Sequence, residues 1–276
     1  MKILIIKIFN KIKFLIQPIF NLNQEEIKGN INTLTLFKLR FIDSVNLSFK
    51  NGRTNRGIKF NNEEFIYSGF VKSIIQNQND TEIIKNLLKE FKSYENLKIL
   101  DINGYFGDSE YKSMPLWNMV TPWDKTQKEK FLKKDYLNQF YKNRTNHKLN
   151  FQDNFNDSIL SKLFSKDSAL SQYHQFKNLL KKIKKEGYKD DINDLPVAVI
   201  LIKGKRWIWM IESGNHRAYI KHEMSYPDIK CRIKRVINFK NISTCHNVKN
   251  GIFSVKEAEA FFETVFEGLN IVRGII

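Results

Sequence analysis

The sequence predicts an α+β fold, a mixed sheet with flanking helices, and three stretches carry that prediction. The first is Trp207-Ile208-Trp209-Met210-Ile211-Glu212, which sends Trp207, Trp209 and Ile211 to one side and Ile208, Met210 and Glu212 to the other, the period of a strand. It breaks at Ser213-Gly214 and runs on into Ala218-Tyr219-Ile220-Lys221-His222-Glu223-Met224, which suits a short helix. The second is an apolar strand over residues 195–202, joined to the tryptophan strand by the tight turn Lys203-Gly204-Lys205. The third is a strand over residues 229–236, in which Ile229, Cys231 and Ile233 alternate with Lys230, Arg232 and Lys234.

The turn between strand and helix is the chemically interesting place. A small polar turn leaves the first helical N–H groups without intrahelical acceptors and pointing at one spot, where an anion is stabilised. Arg217 adds a forked, permanently charged clamp for phosphate oxygens, and Asn215 and His216 add donors beside it. Ser213, Gly214, Asn215, His216 and Arg217 are therefore the candidate phosphate-binding residues. Glu212 ends the strand next to them. Its carboxylate either binds Mg²⁺ or takes a proton from a substrate hydroxyl, or it simply caps the following helix.

The order of elements around this corner is a basic helix over 173–186, the exit Gly187-Tyr188, a hairpin, Gly-Asn-His-Arg, a helix and a strand. It resembles the ParB/sulfiredoxin-like (ParB/Srx) superfamily over roughly residues 168 to 236, and implies a ParB/Srx-like mixed sheet. In that superfamily a glycine-led polar motif before a helix holds nucleotide phosphates. Sulfiredoxins carry a reactive cysteine before the His-Arg pair where this chain has Asn215, so the resemblance does not extend to sulfinic-acid repair. The partition proteins follow the fold with a DNA-reading helix-turn-helix, for which too little chain remains. The motif is most similar to that of a kinase branch with an Asp-Gly-x-His-Arg corner, although Glu212-Ser213 stands here in place of the Asp.

The chain has 276 residues, enough for one large domain or two small ones with a sizeable core. Its net charge of +17 reflects either attraction to phosphates, nucleic acid or anionic lipid, or the Lys-, Asn- and Ile-rich coding of an AT-rich genome. Cys231 and Cys245 lack metal-ligand spacing, and Cys231 falls on the apolar side of its strand, which fits a reducing compartment. No internal repeat, Walker loop, zinc spacing or Gly-x-Ser-x-Gly elbow occurs, and His216 and His222 do not share a helix face.

Taken in order, residues 1–20 form a basic amphipathic segment: Leu4, Ile5, Ile8, Phe9, Ile12, Leu15 and Ile16 share one face, and Lys2, Lys7, Lys11 and Lys13 lie on the other. Such a helix lies in the interface of an anionic bilayer or packs on its own domain; its lysines and Pro18 make it a poor membrane span. Residues 21–145 read as an α+β half of unknown role that starts β-rich, either a separate subdomain or an extension of one sheet. Strands are predicted over 33–41 and 45–50, with Asn51-Gly52 and Asn55-Arg56-Gly57 as turns. A helix follows over 81–94, capped by Asp80 or Thr81, and then a strand over 97–102. Residues 104–124 mix aromatics, prolines and small polar residues, as either an irregular plug over the core or a cleft wall on which Trp117 or Trp123 stacks a sugar or base. Asp124 is placed as the cap of a helix running to about residue 141, and residues 143–156 as a surface connection. The second half, 146–276, holds the candidate nucleotide region. It closes with a helix over 255–268, for which Ser254 and Glu257 form a capping box.

Together these readings predict a Mg²⁺- and nucleotide-dependent phosphotransferase or ATPase (ATP/ADP or CTP) acting on a small hydroxylated acceptor, with Glu212 and His216 as catalytic candidates and Glu212 as metal ligand. The Trp-Pro text and the Asn250-Gly251-Ile252-Phe253-Ser254 segment are similar to uncharacterised proteins of bacterial surface-polysaccharide loci. A cytoplasmic site of action, peripheral at the inner membrane face through residues 1–20, fits that setting. The alternatives are a ParB-like nucleotide switch on DNA and a scaffold without turnover.

Overall fold

A computed structural model describes residues 44–55, 57–60, 66–95, 120–125, 166–189 and 194–269. The expectations for residues 1–20, 33–41, 97–102 and 143–156, for Trp117, and for the helix after Asp124 lie outside these residues. The described part is α+β, built on a curled five-stranded mixed sheet with helices on both faces.

The sheet order is β1 (Val45–Ser48), β5 (Asp228–Asn238), β3 (Val197–Lys203), β4 (Arg206–Ser213), β2 (Gly52–Arg53). β3 and β4 form the expected antiparallel hairpin around Gly204, and β5 runs parallel to β3. β1 pairs antiparallel with β5, whereas β2 pairs parallel with β4. Only the 3-10 turn Phe49–Asn51 separates β1 from β2, yet they occupy opposite ends of the strand order, so this short segment bends the sheet round on itself. The stretch beginning at Val45 is thus an extension of the same sheet.

One face is covered by α1 (Ile66–Ile75), α2 (Asp80–Glu95), α3 (Lys166–Glu186) and α4 (Asn215–Glu223). Ala198, Ile200, Ile202, Trp207, Trp209, Ile211, Ile229 and Cys231 point into this core, as the alternation predicts. The other face takes Val199, Leu201, Ile208 and Met210 and packs them on Trp123 and on α6 (Val255–Glu267). Below the first face, Phe49, Phe60 and Trp209 pack with centroids 5.0–5.9 Å apart. Gly52 leaves room for that cluster, because a Cβ there would stand 2.6 Å from the Trp209 ring.

Helix boundaries follow local chemistry. α6 has the predicted capping box, Glu257 N–H donating to Ser254 Oγ and Ser254 N–H to Glu257 Oε2. α2 starts at Asp80, and Asn79 is the residue whose side chain accepts from Thr81 and Glu82 N–H, one position earlier than the sequence indicates. α3 begins at Lys166, seven residues before the expected start, since Ser168, Ala169 and Gln172 are buried on the sheet side. α1 was not legible as a helix. Asp124 closes a turn, accepting from Thr121 N–H at 2.8 Å.

Candidate functional site: a glycine corner and a basic cleft

Ser213 ends β4, Gly214 is the N-cap of α4, and Asn215 begins the helix. Gly214 has φ 79°, a left-handed conformation in which an L side chain is strained, and a Cβ on it would lie 2.8 Å from Pro196 Cα. Gly214, the N-cap, makes no side-chain hydrogen bond to the first turn of the helix. Asn215 Oδ1 is buried without a hydrogen-bond partner among the described residues.

Two of the expected clamp residues are already engaged. His216 Nε2 lies 3.0 Å from Oε1 of the buried Gln172, and its ring packs over Phe176 at 4.3 Å. Arg217 Nη2 lies 2.6 Å from Asp194 Oδ2, and Nη1 donates to the Asp194 carbonyl. The Arg217 hydrogen bond holds the Asp194 carboxyl below its usual range. The pair is partly open to water, with Arg217 26% and Asp194 58% exposed, the setting in which an ion pair adds little stability. Arg217 lines a cavity of about 250 Å³ with Lys182, Lys189, Glu186 and Gly187. The corner and the glycine exit of α3 therefore meet, as their order along the chain suggests.

Glu212 goes elsewhere. β4 bulges at Glu212, since Ala198 pairs with Ile211 and Val197 with Ser213, and the carboxylate turns to β5, with Oε1 3.4 Å from Arg235 Nη2 and Oε2 2.9 Å from Lys234 Nζ. The Lys234 approach is an ion contact outside hydrogen-bonding geometry, which leaves Oε2 buried and without a hydrogen bond. Glu212 is not the cap of α4. Ser213, Gly214, Asn215, His216 and Arg217 follow one another at the start of α4, but of the five Arg217 alone lines the cavity of about 250 Å³, and the Glu212 carboxylate contacts Lys234 and Arg235 instead. Among the described residues no group of three or more His, Cys, Asp or Glu side chains is arranged to hold a metal. Trp123 is 3% exposed and packs T-shaped with Phe261 and Phe262 at 5.7 and 6.2 Å, a core element that also stands at the wall of a cavity on its own sheet face.

The sheet face opposite α4 holds this larger cavity, about 770 Å³, between the end of β5, the 3-10 segment Phe239–Thr244, α5 (His246–Lys249) and residues 123–125. Lys125, Lys234, Arg235, His246 and Lys249 line it. Arg235 owes its place to a bulge. Ala198 pairs with Ile233 and Val199 with Arg235, so Lys234 is the extra residue and the parity of β5 flips. Strict alternation would have put Arg235 on the α4 face. Instead its guanidinium donates to the Trp123 carbonyl and lies 3.7 Å from Asp124 Oδ1. Sequence reading passed over this cluster; its one signal was the adjacent Lys234-Arg235 pair in a strand that otherwise alternates. Burial pushes the nearby Cys245 thiol up, with Arg235 opposing, which keeps it protonated at neutral pH.

Among the described residues no helix is long and apolar enough to cross a membrane. No family model, curated protein or solved structure matches this chain.

Proposed function

We propose that this chain is a ParB/Srx-like nucleotide-dependent protein that holds the phosphates of a nucleoside di- or triphosphate (ATP/ADP or CTP), with Mg²⁺, at Ser213 to Arg217, and acts as a phosphotransferase or ATPase on a small hydroxylated acceptor. The observation that carries it is the start of α4, where a left-handed Gly214, which supplies no side-chain cap, opens a helix with Arg217 in its first turn. The succession of β3, β4, Gly214, α4 and β5 supports the ParB/Srx-like part of the reading. Mg²⁺ would be held chiefly by the phosphates, as it commonly is where the protein offers few carboxylates. At this corner His216, which rests on Gln172, and Asp194, paired with Arg217, are the titratable side chains nearest a bound phosphate, because Glu212 contacts Lys234 and Arg235 instead. The proposal extends to attachment at the inner membrane face through residues 1–20, which predicts binding to anionic vesicles that weakens as salt rises.

A second reading, ligand binding without turnover, is favoured by the engagement of Glu212 with Lys234 and Arg235. Calorimetric titration of the full chain with ATP, ADP and CTP, with and without Mg²⁺, tests both. Arg217→Ala should lose about 1.5–3 kcal/mol of nucleotide binding, the worth of hydrogen bonds to a charged group. Arg217→Lys should recover part of it without restoring the fork. Nucleotide affinity untouched by Arg217→Ala would place the phosphates elsewhere, and wild-type binding without phosphate release or transfer would favour the second reading.

A further inference from the structure

We infer that the basic cleft on the sheet face opposite α4 is a binding site for a small phosphate ester, separate from the Gly214 corner. The cavity of about 770 Å³ lies within the range of small-molecule sites, about 300–1,000 Å³. Its lining carries four permanent cations, Lys125, Lys234, Arg235 and Lys249, together with His246, and no carboxylate among the described residues. Two carboxylates stand behind it, Glu212 and Asp124, so the local balance is four cations against two anions. That surplus inside a concave wall focuses positive potential where a ligand would sit.

The two carboxylates also have a positioning effect. Glu212 and Asp124 contact the Arg235 guanidinium and the Trp123 carbonyl accepts from it, so it is held in place before any ligand arrives. A fixed fork suits a tetrahedral phosphate, and Lys234 and Lys249 supply point charges that adapt to its oxygens. Asn238 and Asn241 line the same cavity and offer amide groups to hydroxyls on the body of the ligand. A phosphate on a polyhydroxylated carrier fits this division. The inference does not depend on nucleotide binding at the corner, since none of the lining residues belongs to it.

The test is titration calorimetry of the full chain with glucose 1-phosphate, with glucose, and with a polyphosphate of about fifty units. Lys125 and Lys249 are exposed, so Lys125→Glu/Lys249→Glu reverses two charges of the lining without touching the core. Glucose 1-phosphate should bind one to one, glucose should not, and the double variant should weaken the ester about tenfold or more. Arg217→Ala should leave that affinity within about twofold, which separates this site from the corner. Three results would overturn the inference: no saturable binding of the ester, binding indifferent to the charge reversal, or a strong preference for the long polyanion over the ester. The last would mark a groove for an extended polyanion.

Discussion

Replacing Arg53 by methionine should destabilise the protein by about 2–4 kcal/mol, although Arg53 lies in a two-residue strand. Its side chain is 5% exposed and spans the largest sequence separation among its hydrogen bonds, reaching from β2 to the end of α6. Nε donates to Val265 O at 3.1 Å, Nη2 to Phe266 O at 2.6 Å, and Nη1 to Gly52 O at 3.0 Å. The last carbonyls of a helix lack intrahelical donors and carry its negative end, so a buried cation is well placed there. Val265 O keeps Gly268 N–H as a second donor, whereas Phe266 O loses the donor that Arg53 supplies. A carbonyl left unpaired in the interior costs about 1–3 kcal/mol, and loss of the cation from the helix end adds about 0.3–2 kcal/mol. Burial lowers the Arg53 pKa to about 10, with Glu267 opposing, so it is a cation at any working pH and its desolvation offsets part of the gain. Urea unfolding reads the result. With an m-value of about 3 kcal/mol/M the midpoint should fall by about 1 M. The partner substitution is Gly268→Ala, whose Cβ would meet Arg53 Nε at 2.8 Å and Lys59 Cγ at 2.6 Å from a residue with φ +74°. Because the two changes share that contact, the double variant should be less destabilised than the sum of the singles. A midpoint shift below about 0.2 M for Arg53→Met, or strict additivity with Gly268→Ala, would refute the account of Arg53 as the cap of α6.

Gly214→Ala should lose about 1–2 kcal/mol of stability from the left-handed backbone alone, more from the Pro196 contact, and should disturb phosphate binding at the corner as well; unchanged thermal stability would contradict the geometry. Stability should also fall in acid. The pKa values of Asp80, Glu186, Asp194 and Glu267 are all lowered, chiefly by hydrogen bonds from Lys177, Lys189, Arg217 and Arg206 respectively. A lowered carboxylate adds stability that is complete above its unfolded value, about 4, and is lost as pH drops through the folded one. Urea midpoints should therefore hold from pH 7 to about 5 and decline below about 4; a midpoint that rises on acidification would contradict the ion pairs.

The legible parts of the fold were those set by local rules. Alternation located β3, β4 and β5, Gly204 and Gly214 marked the turns, and Ser254 with Glu257 announced α6. Long-range pairing was not legible. Nothing in Val45-Asn46-Leu47-Ser48 says that it joins β5 while Gly52-Arg53 joins β4, because that depends on how the whole sheet curls. α1 was missed because Ile66 to Ile75 is apolar overall, with Lys72 as its one charged residue, and carries Gly69 and the β-branched Ile66, Val71, Ile74 and Ile75, which are weak helix formers. At the site, alternation puts Glu212 on the side of Met210, but the register skips Glu212, pairing Ala198 with Ile211 and Val197 with Ser213. The separation of Glu212 from the corner therefore rests on its contacts with Lys234 and Arg235, which alternation alone does not supply. Arg235 was beyond reach, because a bulge reverses parity without a glycine or proline to mark it.

That separation bears on the chemistry. In-line phosphoryl transfer needs the attacking and leaving oxygens together, with reacting atoms about 3–3.5 Å apart. β4 stands between the corner on the α4 face and the cleft beside Glu212, so a phosphate held by Arg217 and a hydroxyl facing Glu212 are on different sides of a packed strand. A reaction at the corner must therefore find its proton acceptor on the α4 face, where His216 rests on Gln172 and Phe176. Glu212→Gln then has a distinct expected outcome. It weakens the ion contacts of Lys234 and Arg235 and so alters ligand binding in the cleft, while nucleotide binding at the corner is unchanged. Loss of corner binding in that variant would mean that Glu212 reaches across the sheet end, and that the two faces work as one site.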